Sequence, residues 1–247
     1  MEAAVISASA TPVTARVPAA FPVTCVHQIE ITSRCNLRCK YCVHPTMSRA
    51  KEDMSEETYA RTLLVTQLLM RKFPGKQQEL NLAGIGESTM HPDFVRFVHM
   101  AREAVGPRVS LALATNGVSV TREMVAGIAS ARPDVWVSLH RPEKAGPAIE
   151  LFKEFGLLRG TSSDPSVSSV DWAGQVKWHV STPVKGAPCP WIRGGRVIVL
   201  SDGRLARCCF DGTASDTVGT VWDDPMTLRT APYALCGTCH LDVGVAQ

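Results

Sequence analysis

The chain has 247 residues, a hydrophobic fraction of 45%, a charged fraction of 20% and a formal net charge of +3. These values are those of a folded globular protein and exclude a disordered, collagen-like or small disulfide-bonded chain. The small net charge neither requires nor excludes an anionic partner. Nine cysteines are the unusual feature, and an odd number cannot all pair with one another in disulfides.

The N-terminal segment, residues 1–22, shows no hydrophobic periodicity and is predicted to be a flexible leader. It lacks the basic stretch followed by an apolar stretch that marks a secretory signal, and no apolar run is long enough to span a membrane. We therefore expect a cytoplasmic protein with no membrane partner. Its thiols should stay reduced, which favours metal binding or catalysis over disulfides.

From Thr24 onward, short apolar runs alternate with helical patterns. The predicted strands are Cys25–Thr32, Glu79–Ala83, Val109–Thr115, Val135–Leu139 and Val176–Val180. The predicted helices are Glu56–Arg71, Phe94–Ala104, Arg122–Ala131 and Ala148–Phe155. Strands that alternate with helices indicate an α/β fold with a parallel sheet, whose ligands bind at the carboxyl ends of the strands.

The pattern changes at Gly186. Val197–Leu200 and Leu205–Cys208 flank an Asp202-Gly203 turn, which predicts a β-hairpin. The remaining residues are rich in Cys, Gly and Asp, as in a small domain held together by a metal group. The chain is therefore divided into a leader (1–22), an α/β domain (23–185) and a small Cys-rich C-terminal domain (186–247) that carries the hairpin.

Three cysteines, Cys35, Cys39 and Cys42, follow the first predicted strand. Three thiolates can hold three irons of a cubane cluster and leave the fourth iron without a protein ligand. By the logic that separates catalytic from structural metal sites, such an open position binds a substrate or cofactor. A zinc site that takes His44 as its fourth ligand is the alternative for this loop.

The spacing Cys35-x3-Cys39-x2-Cys42 resembles the signature of the radical S-adenosylmethionine (radical SAM) superfamily. Later loops strengthen the resemblance, because Gly84-Ile85-Gly86-Glu87 is similar to the family's Gly-Gly-Glu motif and Thr115-Asn116-Gly117 to its ribose-contacting segment. The resemblance implies a partial parallel (β/α) barrel. The S-adenosylmethionine contacts that it implies are Tyr41, Gly84, Gly86, Glu87, Thr115, Asn116 and Ser138.

The same resemblance implies a chemistry. A 4Fe–4S cluster on the three cysteines would chelate S-adenosylmethionine and cleave it reductively to a 5′-deoxyadenosyl radical. This radical would take a hydrogen atom from the substrate. An electron donor such as flavodoxin or ferredoxin is the implied partner.

A second group of cysteines lies in the C-terminal domain. The spacing C-x13-G-x4-C…C-x2-C resembles Twitch, a shortened SPASM domain that binds an auxiliary 4Fe–4S cluster through four cysteines. The implied ligands are Cys189, Cys208, Cys236 and Cys239, with Cys208 favoured over Cys209 by the spacing. The alternatives are a structural zinc ribbon and, formally, the c-type haem motif that ends at His240. Cys25 is interpreted as a core residue, and Cys209 as a buried small hydrophobic residue or as a ligand of the auxiliary cluster in its resting state.

The substrate is the least defined part of the prediction. In size the chain is similar to small Twitch dehydrogenases, which implies oxidation or rearrangement of a small polar metabolite with electron transfer to the auxiliary cluster. The alternatives are modification of a peptide or of a nucleobase, including one in DNA, and a non-catalytic iron–sulfur or zinc regulatory protein. Candidate substrate residues are His140 as a catalytic base, Trp172, Trp178 and Asp211.

Overall fold

A mixed sheet of eight strands forms the centre of the fold in a computed structural model that describes residues 20–162, 171–177 and 189–239. The strands of this sheet are β2 (Cys25–Ile29), β3 (Glu79–Asn81), β4 (Ser110–Thr115), β5 (Asp134–Val137), β6 (Leu158–Thr161), β7 (Arg196–Val199), β8 (Arg204–Ala206) and β9 (Thr217–Thr220). A separate antiparallel pair is formed by β1 (Phe21–Pro22) and β10 (Arg229–Thr230).

The strand order is β6-β5-β4-β3-β2-β7-β8-β9. All pairs from β6 to β7 are parallel, whereas β7, β8 and β9 pair antiparallel. Because β2 to β6 follow one another in sequence and in space, the helices between them act as crossovers, as in (β/α) barrels. The predicted α/β fold with a parallel sheet is confirmed.

The helices are α1 (Glu56–Lys72), α2 (Phe94–Val105), α3 (Arg122–Ile128), α4 (Pro142–Glu154) and α5 (Pro190–Arg193). Helices α1 and α2 pack together through the rings of Tyr59 and Phe97, which stack with centroids 4.0 Å apart. The Tyr59 hydroxyl, fully buried, donates to the Phe97 carbonyl at 2.8 Å, so its polar end is satisfied. The core lies between these helices and the sheet.

Two predicted elements differ clearly from the structure. Helix α4 begins at Pro142 rather than Ala148, since a proline at the first turn is compatible with helix geometry and the pattern was counted only from the apolar residues. The strand predicted at Val176–Val180 is absent at Val176 and Lys177, where the Val176 amide instead closes a turn onto the Asp171 carbonyl. Residues 178–180 lie outside the described part of the chain. Strand β6 was not predicted, because its Leu-Arg-Gly-Thr sequence has little strand character.

The hairpin prediction is confirmed by β7 and β8, which are joined by a turn in which Gly203 has φ +84°. Strand β7 also pairs in parallel with β2, so the hairpin extends the main sheet. The predicted domain boundaries at residues 22 and 185 remain predictions. No helix within the described residues is both long and apolar enough to cross a bilayer.

Helix α1 begins at Ser55, whose hydroxyl accepts the Thr58 amide at 3.1 Å. Replacing Ser55 by Ala removes this cap and should lower the free energy of unfolding by about 1 kcal/mol, measured by urea denaturation. Ser55→Asp, which keeps an acceptor at the cap, is the matched control and should retain most of the stability. An equal loss in both variants would contradict the capping role.

Candidate metal and cofactor site

Loops from the carboxyl ends of β2, β3 and β4 meet at a buried carboxylate. Glu87, after β3, accepts the Thr115 hydroxyl at 2.6 Å and the Asn116 amide at 2.7 Å, both from the end of β4. The Asn116 side-chain amide donates to the side-chain Oδ1 of Asn36 at 2.8 Å and lies 3.9 Å from the Cys35 sulfur. The structure therefore brings together three of the loops that the sequence marks.

The first cysteine group forms a turn in which backbone amides point at sulfur. The Leu37 amide donates to the Cys35 sulfur and the His44 amide to the Cys42 sulfur, each at 3.4 Å. Such hydrogen bonds favour the thiolate form that metal groups require. Burial, together with the neighbouring thiols, raises the pKa of Cys42 to about 11. A bound cationic group would offset this cost, because metal binding to thiols releases protons.

The glycines after β3 are required by close backbone packing. A Cβ atom on Gly86 would lie 2.2 Å from the Thr32 carbonyl oxygen and 2.7 Å from that of Arg34. A Cβ atom on Gly84 would lie 2.3 Å from the Cγ atom of Glu30. The glycines let this loop lie directly against the segment that leads into Cys35. Contact of Gly84 and Gly86 with S-adenosylmethionine stays a prediction.

Glu87 is a buried carboxylate supplied with neutral donors. Besides Thr115 and Asn116, the Thr89 hydroxyl and amide donate to it at 2.7 and 3.3 Å. Burial raises the pKa of Glu87, and these hydrogen bonds oppose the rise. Among the ion pairs of the described residues, none involves Glu87. The site thus offers an acidic group without a cationic partner from that part of the chain.

The predicted residues Tyr41, Ser138 and His140 lie at the same end of the sheet. The Tyr41 hydroxyl is 3.0 Å from Nδ1 of His140, and the two rings are 5.6 Å apart. The Ser138 amide donates to the Thr115 carbonyl at 2.7 Å. Burial lowers the pKa of His140, which keeps the imidazole neutral at neutral pH and able to accept a proton.

The second cysteine group lines one recess. All four predicted ligands (Cys189, Cys208, Cys236 and Cys239) border an open cavity of about 290 Å³, together with Ala173, Ile192, Tyr233 and Leu235. Cys209 instead packs against a small apolar cluster of Ile198, Leu200, Ala206 and Ala214. Cys209 does not border the recess, although its thiol is within hydrogen-bonding reach of the Cys208 thiol.

The thiols in this recess are near enough to influence one another. Burial raises the pKa of Cys236 to about 11, with smaller contributions from Cys208, Cys189 and Cys239. A hydrogen bond with Cys209, together with burial, raises the pKa of Cys208. Within residues 20–162, 171–177 and 189–239, no three His, Cys, Asp or Glu side chains converge at the spacing of a single metal ion.

Several other candidates have structural contacts. Asp211 is 3% exposed, and its carboxylate accepts the amide and hydroxyl of Ser215 at 3.0 and 2.9 Å, so it holds its own loop. His44, the alternative zinc ligand, is buried, with Nε2 3.1 Å from the Ser33 carbonyl. Cys25 is buried in β2, as interpreted from the sequence. Trp178 and His240 lie outside the described residues.

One buried ion pair was missed from the sequence. Arg49 donates to both oxygens of Glu30 at 2.6 and 2.5 Å, and the two side chains are 5% and 1% exposed. Glu30 also accepts the Ile85 amide at 2.9 Å, and Arg49 donates to the Gly212 carbonyl at 2.9 Å. The available signal was a single acidic residue within the apolar run that contains Ile29 and Ile31.

The chain has recognisable similarity to known proteins. A model of the radical SAM superfamily matches residues 29–144. The tungsten-containing aldehyde ferredoxin oxidoreductase cofactor-modifying protein of Pyrococcus furiosus is 36% identical over 152 residues, which cover 61% of this chain and 40% of that protein. The GTP 3′,8-cyclase of Chlorobaculum tepidum is 30% identical over 113 residues, which cover 45% of this chain and 32% of that protein. The matches thus span less than half the length of these two curated relatives.

Among solved structures, BtrN in complex with AdoMet and 2-DOIA superposes with a TM-score of 0.65 at 18% identity, covering 89% of this chain and 91% of that one. This likeness shows that the two chains share a fold. The parallel sheet places the chain among α/β proteins, whose ligands bind at the carboxyl ends of the strands. Residues 29–144 of the chain match the domain that defines the radical SAM superfamily.

Gly86→Ala should lower the free energy of unfolding by about 3 kcal/mol, the upper end of overpacking costs, because the new methyl group meets backbone rather than a movable side chain. The measurement is chemical denaturation. Gly146→Ala is the matched control, since a Cβ atom there meets nothing within 4 Å and the residue lies inside α4. The control should be neutral or more stable. Equal stability of both variants would refute the close packing of Gly86.

Proposed function

We propose that the chain is a radical SAM enzyme that acts on a small polar metabolite, with a second iron–sulfur cluster that assists electron transfer. The observation that carries this proposal is the meeting of the Cys35, Glu87 and Thr115–Asn116 loops at one end of the parallel sheet. The superfamily match and the overall fold do not by themselves define an activity, so the argument rests on this site.

The residues fit the cofactors that the superfamily implies. Cys35, Cys39 and Cys42 would hold a 4Fe–4S cluster, and the amides directed at the sulfurs of Cys35 and Cys42 suit thiolate ligands. When bound, the cluster and S-adenosylmethionine would supply reductive cleavage to a 5′-deoxyadenosyl radical, which abstracts a hydrogen atom from the substrate.

Glu87 would receive the amino group of S-adenosylmethionine. An ammonium group beside this carboxylate would offset the burial that raises its pKa, since the described residues provide no cation there. Thr115 and Asn116 are held by Glu87 and would orient the ribose. The ring of Tyr41 would pack by the adenine, with its hydroxyl fixed by His140.

His140 is proposed as a base for the substrate. Its lowered pKa keeps the imidazole neutral, and only the neutral form can accept a proton from an alcohol or amine. Its position after β5 places it at the same end of the sheet as the cysteine loop. The protein's contribution is positioning and the exclusion of competing reactions.

The auxiliary cluster is proposed for the recess bordered by Cys189, Cys208, Cys236 and Cys239. Four thiolates would give each of the four irons a protein ligand. No iron would then be open to S-adenosylmethionine, which suits a cluster that transfers electrons. A cluster spans several atoms, so it suits thiols that border a shared recess without converging on one ion. The recess therefore favours a cluster over a zinc ribbon.

The substrate class is supported by the names of similar proteins. The GTP 3′,8-cyclase is named for a nucleotide, the Pyrococcus furiosus protein for a cofactor, and BtrN is solved with 2-DOIA. SuiB, which is solved with a precursor peptide, is only 12% identical. We therefore base the small-molecule proposal on the two curated relatives at 36% and 30% identity, with a peptide as the alternative. We further propose a cytoplasmic location and reduction by a flavodoxin or ferredoxin.

Anaerobic reconstitution tests the enzymatic proposal. The chain should bind about eight irons, as two cubane clusters, and should release 5′-deoxyadenosine from S-adenosylmethionine when dithionite is added. Replacing Cys35, Cys39 and Cys42 by Ala is the control, and it should abolish the release while the other cluster remains. Tightly bound zinc and no cleavage by the unaltered chain would contradict the proposal and favour a regulatory protein.

A second experiment addresses the auxiliary ligands. The Cys236→Ala/Cys239→Ala variant should lose about four irons and keep the S-adenosylmethionine-binding cluster, measured by iron analysis and electron paramagnetic resonance. Cys209→Ala is the matched control and should keep both clusters, because Cys209 is not one of the residues that border the recess. Loss of a cluster in Cys209→Ala would show that the ligand assignment is wrong.

A further inference from the structure

The two cysteine groups are joined by a short segment, Asp171–Lys177, that belongs to neither of them. We propose that Trp172 and Ala173 form a positioning bridge through which the two sites hold their iron–sulfur clusters cooperatively. The inference rests on the proposed function, since it concerns the retention of the two proposed clusters.

At the first site, the bridge contacts the residue next to a predicted ligand. The Trp172 indole N–H donates to the Tyr41 carbonyl oxygen at 3.0 Å, and Tyr41 directly precedes Cys42. The same indole ring packs edge-on against Phe210, with centroids 6.0 Å apart, and Phe210 lies two residues after Cys208. One side chain thus contacts the neighbours of a ligand from each group.

At the second site, the bridge forms part of the recess. Ala173 is 3% exposed and borders the cavity with the four cysteines. Its carbonyl oxygen accepts the Thr238 hydroxyl at 2.7 Å, and Thr238 lies between Cys236 and Cys239. The Cys236–Cys239 turn is therefore anchored to the residue that follows Trp172.

The backbone of the bridge is held in an unfavourable conformation. Trp172 and Ala173 have φ angles of +55° and +56°, in the left-handed region that residues other than glycine rarely adopt. Such a conformation persists only where surrounding contacts impose it. Gln175 supplies a further contact by donating to the Phe210 carbonyl at 2.5 Å. If the contact with one cysteine group is lost, Trp172 and Ala173 should relax to a more favourable backbone conformation. Their contact with the other group should then weaken.

Coupling of this kind is reciprocal. If an ordered first site strengthens retention at the second, then an ordered second site strengthens retention at the first by the same factor. Couplings between sites in proteins are typically about 5–150-fold. We expect the apparent iron affinity of each site, measured by competition with a chelator, to fall about fivefold or more when the other site is empty.

The experiment measures iron loss to a chelator from each site. The first site is emptied by replacing Cys35, Cys39 and Cys42 with Ala, and the second by Cys236→Ala/Cys239→Ala. In the otherwise unaltered chain, emptying either site should lower the chelator concentration that removes half of the iron from the other. In Trp172→Phe, which keeps an aromatic ring but removes the N–H donor, this dependence should disappear. Trp222→Phe, at a residue 53% exposed, is the matched control and should preserve the dependence.

Two outcomes would overturn the proposal. One is independent iron loss from the two sites in the unaltered chain, and the other is an unchanged dependence in Trp172→Phe. A chain that binds no iron at all would instead refute the proposed function.

Hydrogen exchange in the metal-free chain tests the bridge even if the chain binds no iron. Thr238→Val removes the donor to Ala173 and should speed hydrogen exchange of the Cys42 amide, which is protected by the Cys39 carbonyl at 3.1 Å. The same change should have no further effect in the Trp172→Phe background, because the bridge is already broken. Additive effects of the two substitutions, or no effect of Thr238→Val on Cys42, would show that no such bridge exists.

Discussion

The ion pair between Glu30 and Arg49 is the interaction on which the arrangement of the site depends. Both side chains are almost fully buried, so each charge is compensated mainly by the other. Breaking such a pair by removing one partner costs about 3–5 kcal/mol, because a buried charge is left without compensation. The pair matters for the site because both side chains form further hydrogen bonds to other segments. Glu30 accepts the amides of Ile85 and Ser201, and Arg49 reaches the Gly212 carbonyl.

These contacts tie the end of β2 to three other segments: the glycine loop after β3, the turn between β7 and β8, and the loop after Cys208. Gly84 leaves the space that the Glu30 side chain fills, and Gly86 lets the loop lie against the backbone that leads to Cys35. The geometry around Glu87 therefore follows from packing within the chain. A site held by its own supporting contacts needs little rearrangement when a ligand binds, and preorganisation of this kind is what functional sites require.

The parts of the fold that were predictable from the sequence are those encoded locally. Apolar periodicity marked β2 to β5 and the four longer helices, and fixed cysteine spacings marked both thiol groups. Contacts between distant residues were not predictable in this way. Glu30 and Arg49 are 19 positions apart and Glu30 and Ser201 are 171 apart, so no periodic pattern links them. Trp172 was considered for substrate contact, but its hydrogen bond to Tyr41 depends on the turn formed by residues 171–176.

The parallel pairing of β7 with β2 has a consequence for how the chain can be divided. Because β2 lies between β3 and β7, it is an interior strand although it comes first in the barrel order. A fragment that ended before Arg196 would leave the backbone amides and carbonyls of Cys25–Ile29 open along one edge. Exposed apolar edges of this type recruit strands from other molecules. The sheet of the matched domain, residues 29–144, is thus completed by a strand that lies outside the matched range.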